Sequence, residues 1–410
     1  MRTQSCSSPN TDTESIPSAP MLSATVKDYR AIANQVSAQL AAHGVEQDTK
    51  AGSPVEEVNA LKQSGLILLP VPQEFGGAGA TWPQIYNVVQ ILSKAQGSVG
   101  QLYANHATLV SMGRLVGGPG QAERYYRLTS QQNLFWANAL NSRDQRLKLM
   151  SVNGAFRLNG VKSFCTGMVA ADISIVLSME EKSNHPVLCV VPMDREGITY
   201  NDDWDTMGQR RTASGSYTFH DVLVKPDEVL GPPLSSGAST TLKSLIALLG
   251  QTFVYLGIAE GALEAAKGYT TTSALAWMAS DAETATQNPF ILQRYGQMWA
   301  ELQAAIALAH QASEALQAGW EKGTALTTEE RGEIAIVMAS ARAIAIQAGI
   351  KITTHIFDGM GPRATAANYG FDRYWRDLRT FSLHDPIDYK FKDIGNWMLN
   401  QQYPTPSQYS

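Results

Sequence analysis

The run LFWANAL, Leu134–Leu140, is where this chain changes its period. Before it, apolar residues recur at helical spacing. After it, they come in short alternating runs: AFRLNGVKSFCTG (Ala155–Gly167), DISIVLSM (Asp172–Met179), HPVLCVVPM (His185–Met193), GITYNDDW (Gly197–Trp204) and GSYTFHDVLV (Gly215–Val224). Gly, Asn and Asp separate the runs, which therefore read as strands. Asn153-Gly154 predicts a tight hairpin turn, and Pro226, Pro232 and Pro233 close the block. Residues 134–235 are thus expected to form a small antiparallel β domain or barrel.

Working outward, residues 21–133 read as helical. Val26, Tyr29, Ile32, Ala33, Val36 and Leu40 share one face, the stripe of an amphipathic helix. Thr81-Trp82-Pro83 starts another helix, with proline where the first turn tolerates it, and Ala95–Val116 reads as a further one. Beyond the β block, Leu242–Thr272, Pro289–Lys322, Thr328–Phe357 and Gly370–Leu399 are long, apolar on one face and largely Ala-rich. They predict a four-helix bundle over 236–399, followed by an irregular tail at 400–410. The expected class is α+β: helical domain, β-barrel, helix bundle.

Composition narrows the function. The 410 residues suit two or three domains, and 17% charged residues with a net charge of -5 give no footprint for nucleic acid or an anionic membrane. Three cysteines (Cys6, Cys165, Cys189) make no disulfide framework, which fits a cytoplasmic protein. Residues 1–20, rich in Ser, Thr and Pro, lack the pattern of a signal peptide and read as a disordered arm. Lys243, Gln251, Glu260 and Glu264 interrupt Leu242–Ala266, which argues for a buried bundle helix over a membrane span.

Familiar catalytic motifs are missing. No G-x-G-x-x-G leads from a strand into a helix, so no nicotinamide site is signalled. There is no phosphate-binding P-loop and no G-x-S-x-G elbow. The seven histidines are scattered without metal-ligand spacing.

Candidate chemistry is diffuse. If Lys162–Gly167 is a strand, Phe164 and Thr166 share a face, suited either to stacking and hydrogen-bonding a flat ring or to a half-buried barrel wall. Cys165 on the other face reads as a core thiol. His106, beside Tyr103 on an apolar helix, is either a satisfied core histidine or a pocket group. Asn138 could be a turn residue, Trp204 a barrel cap, and Arg294 a surface arginine or a phosphate clamp. The segment Tyr369–Pro386, YGFDRYWRDLRTFSLHDP, packs three arginines and three aspartates among aromatics. It reads as a salt-bridge network or as an anion-binding helix whose following turn delivers His384 and Asp385 to a pocket.

Together these segments resemble the acyl-CoA dehydrogenase superfamily over nearly the whole chain after residue 20. WRDLRTFSLHDP resembles its R-D-x-x-x-x-x-I-Y-E-G signature. The strings FGGAGATWP, NGVKSFCTG, NDDWDTMGQRRTASGS, HDVLVKPDEVLG, YGFDRYWRDLRT, SLHDP and LNQQYP are most similar to its flavin-dependent monooxygenase branch, which includes the dibenzothiophene and alkyl-sulfone or sulfinate enzymes. At the position of the dehydrogenases' glutamate base stands Asp385, between His384 and Pro386.

The resemblance implies a two-component enzyme. Reduced FMN comes from a separate NAD(P)H:flavin reductase, and O2 forms a flavin C4a-hydroperoxide that oxygenates a small organosulfur compound. It implies a hydroxyl near the flavin N5 at Thr166, and peroxide-facing groups at His106 and His384. Tyr103, Asn138, Phe164, Trp204 and Ser214 would hold the flavin, with Arg294 and more weakly Arg373 on its phosphate. Phe381, histidine in close relatives, and Asp385 would line the substrate pocket. It further implies a homotetramer, with no nucleic-acid or membrane partner. The alternatives carried are an FAD-dependent acyl-CoA dehydrogenase and an N-oxygenase of an amine or amino sugar.

Overall fold

The computed structural model describes residues 28–152, 154–232 and 237–410. The expected arm at 1–20, Val26, Asn153 and Pro233 lie outside the described residues.

The N-terminal helices are α1 (Tyr29–Lys50), α2 (Val55–Ser64), α3 (Trp82–Ala95), α4 (Gly97–Val110), α5 (Met112–Val116) and α6 (Gln121–Gln132). At the start of α3, Thr81 and Gln84 cap each other reciprocally with Pro83 in the first turn, satisfying N–H groups that a helix end leaves orphaned. The single helix expected over Ala95–Val116 is two helices, α4 and α5, meeting at Ser111, while Ala95 ends α3. Gln96 is extended (φ -147, ψ 113), so α4 folds back on α3. A Cβ at Gly100 would lie 1.7 Å from Ser93 Oγ, so that return requires glycine.

The strands are β1 (Trp136–Ala139), β2 (Lys148–Val152), β3 (Ala155–Lys162), β4 (Ile173–Glu180), β5 (Pro186–Pro192), β6 (Ile198–Tyr200) and β7 (Tyr217–Val224). They form one curled sheet in the order β1-β4-β2-β3-β7-β6, with β5 on β4. Val152 pairs with Ala155 across the β2–β3 turn. The sheet is mixed rather than antiparallel throughout. β1 runs parallel to β4 (Trp136 opposite Ile173), and β2 meets the end of β4 in parallel. Residues 163–172 make the difference, carrying the chain from the end of β3 to start β4 beside β1.

The bundle comprises α7 (Leu242–Thr272), α8 (Pro289–Lys322), α9 (Thr328–Met360), α10 (Asp372–Phe381) and α11 (Ile387–Asn400). Asn288 caps α8 by accepting from Phe290 N and Ile291 N, and Thr327 with Glu330 caps α9. The predicted fourth helix is two helices broken at Ser382–Pro386, because the residue before a proline is pushed out of the helical region. That break carries His384.

One hydrophobic cluster runs through the N-terminal helices and the bundle together, with Tyr86 stacked on Phe253 at 5.2 Å. A second fills the sheet with Leu149, Leu158, Val176, Cys189 and Phe219. The helical parts therefore share a core, and the sheet docks onto it. Polar clamps fix that docking. Arg211 binds Glu57 through Nε at 2.8 Å and Nη2 at 2.7 Å, and Lys62 binds Asp172 at 2.9 Å. Ala238–Thr272 and Thr328–Met360 are long and apolar enough to cross a membrane, but their most apolar windows are 83% and 67% buried in the fold.

Candidate active site

Two groups of side chains stand out, one on the sheet domain against the bundle and one within the bundle. The first gathers Asn138, Phe164, Thr166, Trp204 and Ser214. Phe164 and Thr166 do not share a strand face as expected, because β3 ends at Lys162. Phe164 instead takes a left-handed φ of 58°, a conformation that costs a non-glycine residue energy and marks functional segments. It stands 61% exposed, edge-on to Trp204 with ring centroids 6.1 Å apart. Cys165 turns inward and is fully buried, and burial pushes its thiol up to about 12.

Thr166 ends a chain of hydroxyls. Its Oγ1 lies 2.9 Å from Ser214 Oγ, which donates to Thr212 Oγ1 at 2.8 Å, which donates to Gln209 O at 2.8 Å. Trp204 Nε1 donates to the same oxygen at 3.0 Å. Asn138 N reaches Thr166 O at 3.5 Å, while Asn138 Oδ1 is buried without a donor. A buried orphan acceptor costs about 1–3 kcal/mol, so the site retains an atom suited to a ligand N–H.

The second group surrounds His384. Its Nδ1 lies 3.0 Å from Asp385 Oδ1. Asp385 is buried and also binds the fully buried Arg342, with Nε at 3.3 Å and Nη2 close to Oδ1, while Lys390 Nζ lies 3.4 Å away. Burial alone would raise this carboxyl, but the His384 hydrogen bond and the Arg342 charge outweigh it and hold the carboxyl well below its usual range. Arg342 Nη2 also donates to Gln251 Oε1 at 2.8 Å and Tyr255 OH at 3.1 Å. Gln251 must therefore present its amide N–H toward His384 Nε2, at 3.4 Å. The arrangement places His384 Nδ1 on Asp385 and its Nε2 toward the Gln251 amide. Phe381 packs edge-on to Tyr255 at 5.3 Å, and the Tyr409 ring lies 5.9 Å from His384.

Four expected site residues stand elsewhere, and Asp385 has a different part. His106 is entirely buried: its Nε2 meets Ile67 O at 2.8 Å, and its Nδ1 accepts from Trp136 N at 3.0 Å. Both ring nitrogens are thus committed to main chain in the neutral tautomer, and burial pushes its pKa down to about 4. It stacks on Phe135 at 5.0 Å as a core residue with no nitrogen left for a peroxide. Tyr103 is likewise in the core, its hydroxyl donating to Leu66 O at 3.0 Å. Arg373 lies over Tyr374 at 4.2 Å and bonds Gly370 O at 2.9 Å, within its own helix start. Arg294 is exposed in a cleft with Trp277, Phe290, Asp358 and Arg363, and has no ion-pair partner among the described residues. Asp385 lines no open pocket, since Arg342 claims it.

Sequence reading missed Arg342, Gln251 and Tyr255. The available signal was a lone arginine in the apolar run ASARAIAI, with Gln251 interrupting an equally apolar helix. A buried charge of this kind needs a partner.

Profiles of the acyl-CoA dehydrogenase N-terminal, middle and C-terminal domains match residues 23–130, 141–222 and 249–389 in that order. The chain belongs to the acyl-CoA dehydrogenase family. Its similarity is to the monooxygenases of that family. It is 40% identical over 379 residues to a dibenzothiophene monooxygenase of Mycolicibacterium goodii, spanning 88% of this chain and 91% of that one. It is 38% identical over 382 residues to a probable FMNH2-dependent monooxygenase of Pseudomonas putida, spanning 93% and 97%. The solved methanesulfinate monooxygenase of Pseudomonas fluorescens superposes with a TM-score of 0.91 at 37% identity, covering 93% of this chain and 99% of that one.

Proposed function

We propose that the protein is an FMNH2-dependent monooxygenase that oxygenates an organosulfur compound and draws its reduced flavin from a separate reductase. The observation that carries this reading is the state of Asp385. At the place of the dehydrogenase base, the carboxylate is locked to Arg342 and serves to orient His384. A dehydrogenase needs that carboxylate free to take a proton from its substrate, so the FAD-dependent alternative loses its base.

The residues around Thr166 fit a flavin. Asn138 Oδ1 is a buried acceptor awaiting an N–H, Phe164 and Trp204 present aromatic surface, and the Thr166–Ser214 pair offers hydroxyls at 2.9 Å. Bound reduced flavin supplies the electrons that let dioxygen deliver one oxygen atom to the substrate and the other to water. The chain's own residues do the rest. Thr166 and Asn138 hold the flavin edge. His384 keeps Nδ1–H on Asp385 and leaves Nε2 as the atom that accepts or returns a proton near the reacting oxygen. Phe381 and Tyr255 form apolar wall beside it, keeping water from discharging the reaction as hydrogen peroxide. Arg294, exposed on its own chain, grips the flavin phosphate of a neighbouring copy in a homotetramer. The three domains run 21–133, 134–235 and 236–399, and a reductase-fed enzyme of this kind works in the cytoplasm.

The test combines the protein with a flavin reductase, NADH and FMN, and supplies dibenzothiophene or methanesulfinate as probe. Oxygenated product above the peroxide background supports the reading. No product from either probe, together with bleaching of a bound FAD by an acyl-CoA under anaerobic conditions, establishes the dehydrogenase instead.

A further inference from the structure

The segment carrying Trp204, Thr212 and Ser214 belongs to the sheet domain, yet its conformation is set from the bundle. Gln209 has a left-handed φ of 54° and Ala213 one of 43°, so the turn is strained and needs outside support. Helix α10 supplies it. Asp377 Oδ1 accepts the Gln209 main-chain N–H at 2.5 Å, Arg376 Nη1 donates to Met207 O at 2.7 Å, and a Cβ at Gly208 would lie 2.0 Å from Arg376 O. From Gln209 O the support passes to Trp204 Nε1 and, through Thr212 and Ser214, to Thr166. The Gln209 side chain fills the space between Asp377 and α4, with Nε2 3.4 Å from Asp377 O and 3.0 Å from where a Cβ of Gly97 would be.

We propose that Asp377 is a positioning residue for the flavin face, and that it holds the 204–214 segment most tightly when its carboxyl is neutral. The surroundings are built for a neutral acid. Asp377 is buried, and among the described residues its side chain's one hydrogen bond is to a neutral N–H and Gln209 Oε1 is a buried acceptor without a donor. Charged and titratable neighbours face it from two helices: Asp48 from α1, and Arg373, Tyr374 and Arg376 from its own α10. Arg376 is shared with Asp48 and Asp372, and Arg373 with Tyr374 and Gly370, so neither arginine is a dedicated counter-ion. Burial first, and Asp48 second, push the Asp377 carboxyl up to about 7 against the Gln209 N–H and the two arginines.

The sign follows from linkage. Opening the segment exposes Asp377 to water and returns it toward the usual range near 4. Proton binding therefore favours the docked state, and docking weakens as pH rises through neutrality. Between pH 6 and 8 the docked-to-open ratio falls by about tenfold.

Two readouts test this. One is hydrogen-exchange protection of peptides covering residues 204–214 in flavin-free protein, corrected for intrinsic exchange. The other is affinity for oxidised FMN by fluorescence quenching across the same pH range. In the wild type protection falls about tenfold from pH 6 to 8, and FMN affinity follows the docked fraction, falling only where the open state becomes populated. Asp377→Asn, a neutral isostere, keeps the pH 6 values throughout. Thr212→Val weakens FMN at every pH but retains the slope, because it breaks the relay beyond the titrating group. Wild-type protection that does not change over this range overturns the proposal without any variant, and so does an Asp377→Asn protein with the wild-type slope. Absence of FMN binding at every pH, with sloping protection, would count against the flavin reading and not against the docking role.

Discussion

Replacing Asp385 with asparagine removes the charge that Arg342 and Lys390 share. Arg342 is fully buried, and its remaining partners (Gln251 Oε1, Tyr255 OH and Leu248 O) are neutral. Breaking a buried pair by deleting one member costs about 3–5 kcal/mol, because the other charge stays desolvated. If the chain unfolds as one unit, its unfolding entropy converts that cost into a Tm drop of about 4–6 °C. The pH course follows from the depressed Asp385 carboxyl. Its contribution is present above the unfolded value near 4 and disappears as pH falls toward the lower folded value. The gap between wild type and Asp385→Asn should therefore be wide at pH 7 and close in acid. Differential scanning fluorimetry over pH 3–8 measures it. Asp385→Leu combined with Arg342→Met provides the control, since replacing both partners by packed apolar groups is close to neutral. A Tm within 1 °C of wild type for Asp385→Asn at pH 7 would refute the buried-pair account.

Three further outcomes follow from the same geometry. His384→Ala loses product while oxygen consumption continues as peroxide, read as product formed per O2 consumed; unchanged coupling would remove His384 from the chemistry. His106→Gln, whose amide keeps a donor and an acceptor, leaves that ratio intact but changes acid stability. The wild-type histidine contributes fully above the unfolded value near 6.5 and loses its contribution as pH falls through about 4, so the variant's stability curve is flatter over that window in a thermal melt. Cys165 and Cys189, whose burial pushes both thiols up to about 12, resist iodoacetamide at pH 8 in the folded protein and react once it is unfolded, as counted by mass spectrometry.

Much of the architecture was legible in periodicity. The change at Leu134 separates helix from strand where the structure does, and the three Ala-rich runs are the three long bundle helices. The missed features depend on contacts that sequence spacing does not encode. The separation near Gln96 was read, but the break at Ser111 between α4 and α5 lies inside one apolar run, so the stripe continues across it. The turn at Ser382–Pro386 was read from the segment itself, although the fourth run was bounded as one helix across it. The positive φ of Phe164 sits beside the buried Cys165 where the strand has already ended, and no alternation pattern registers that. Asn138, Thr166, Ser214, Trp204 and His384 were proposed for the site through family resemblance. The partners that govern them, Arg342 and Asp377, come from distant helices and become visible only in three dimensions.

In the proposed chemistry, oxygen from O2 enters the sulfur compound beside His384, whose Nδ1 is oriented by a carboxylate locked to Arg342. The most direct measurement supplies heavy-isotope dioxygen to the reductase-coupled reaction, with dibenzothiophene or methanesulfinate present, and follows the label by mass spectrometry. One labelled oxygen atom in the product per reduced flavin consumed, lost in His384→Ala as labelled hydrogen peroxide, is the predicted result. Label recovered only as peroxide from the wild-type protein, or product oxygen drawn from water, would contradict it.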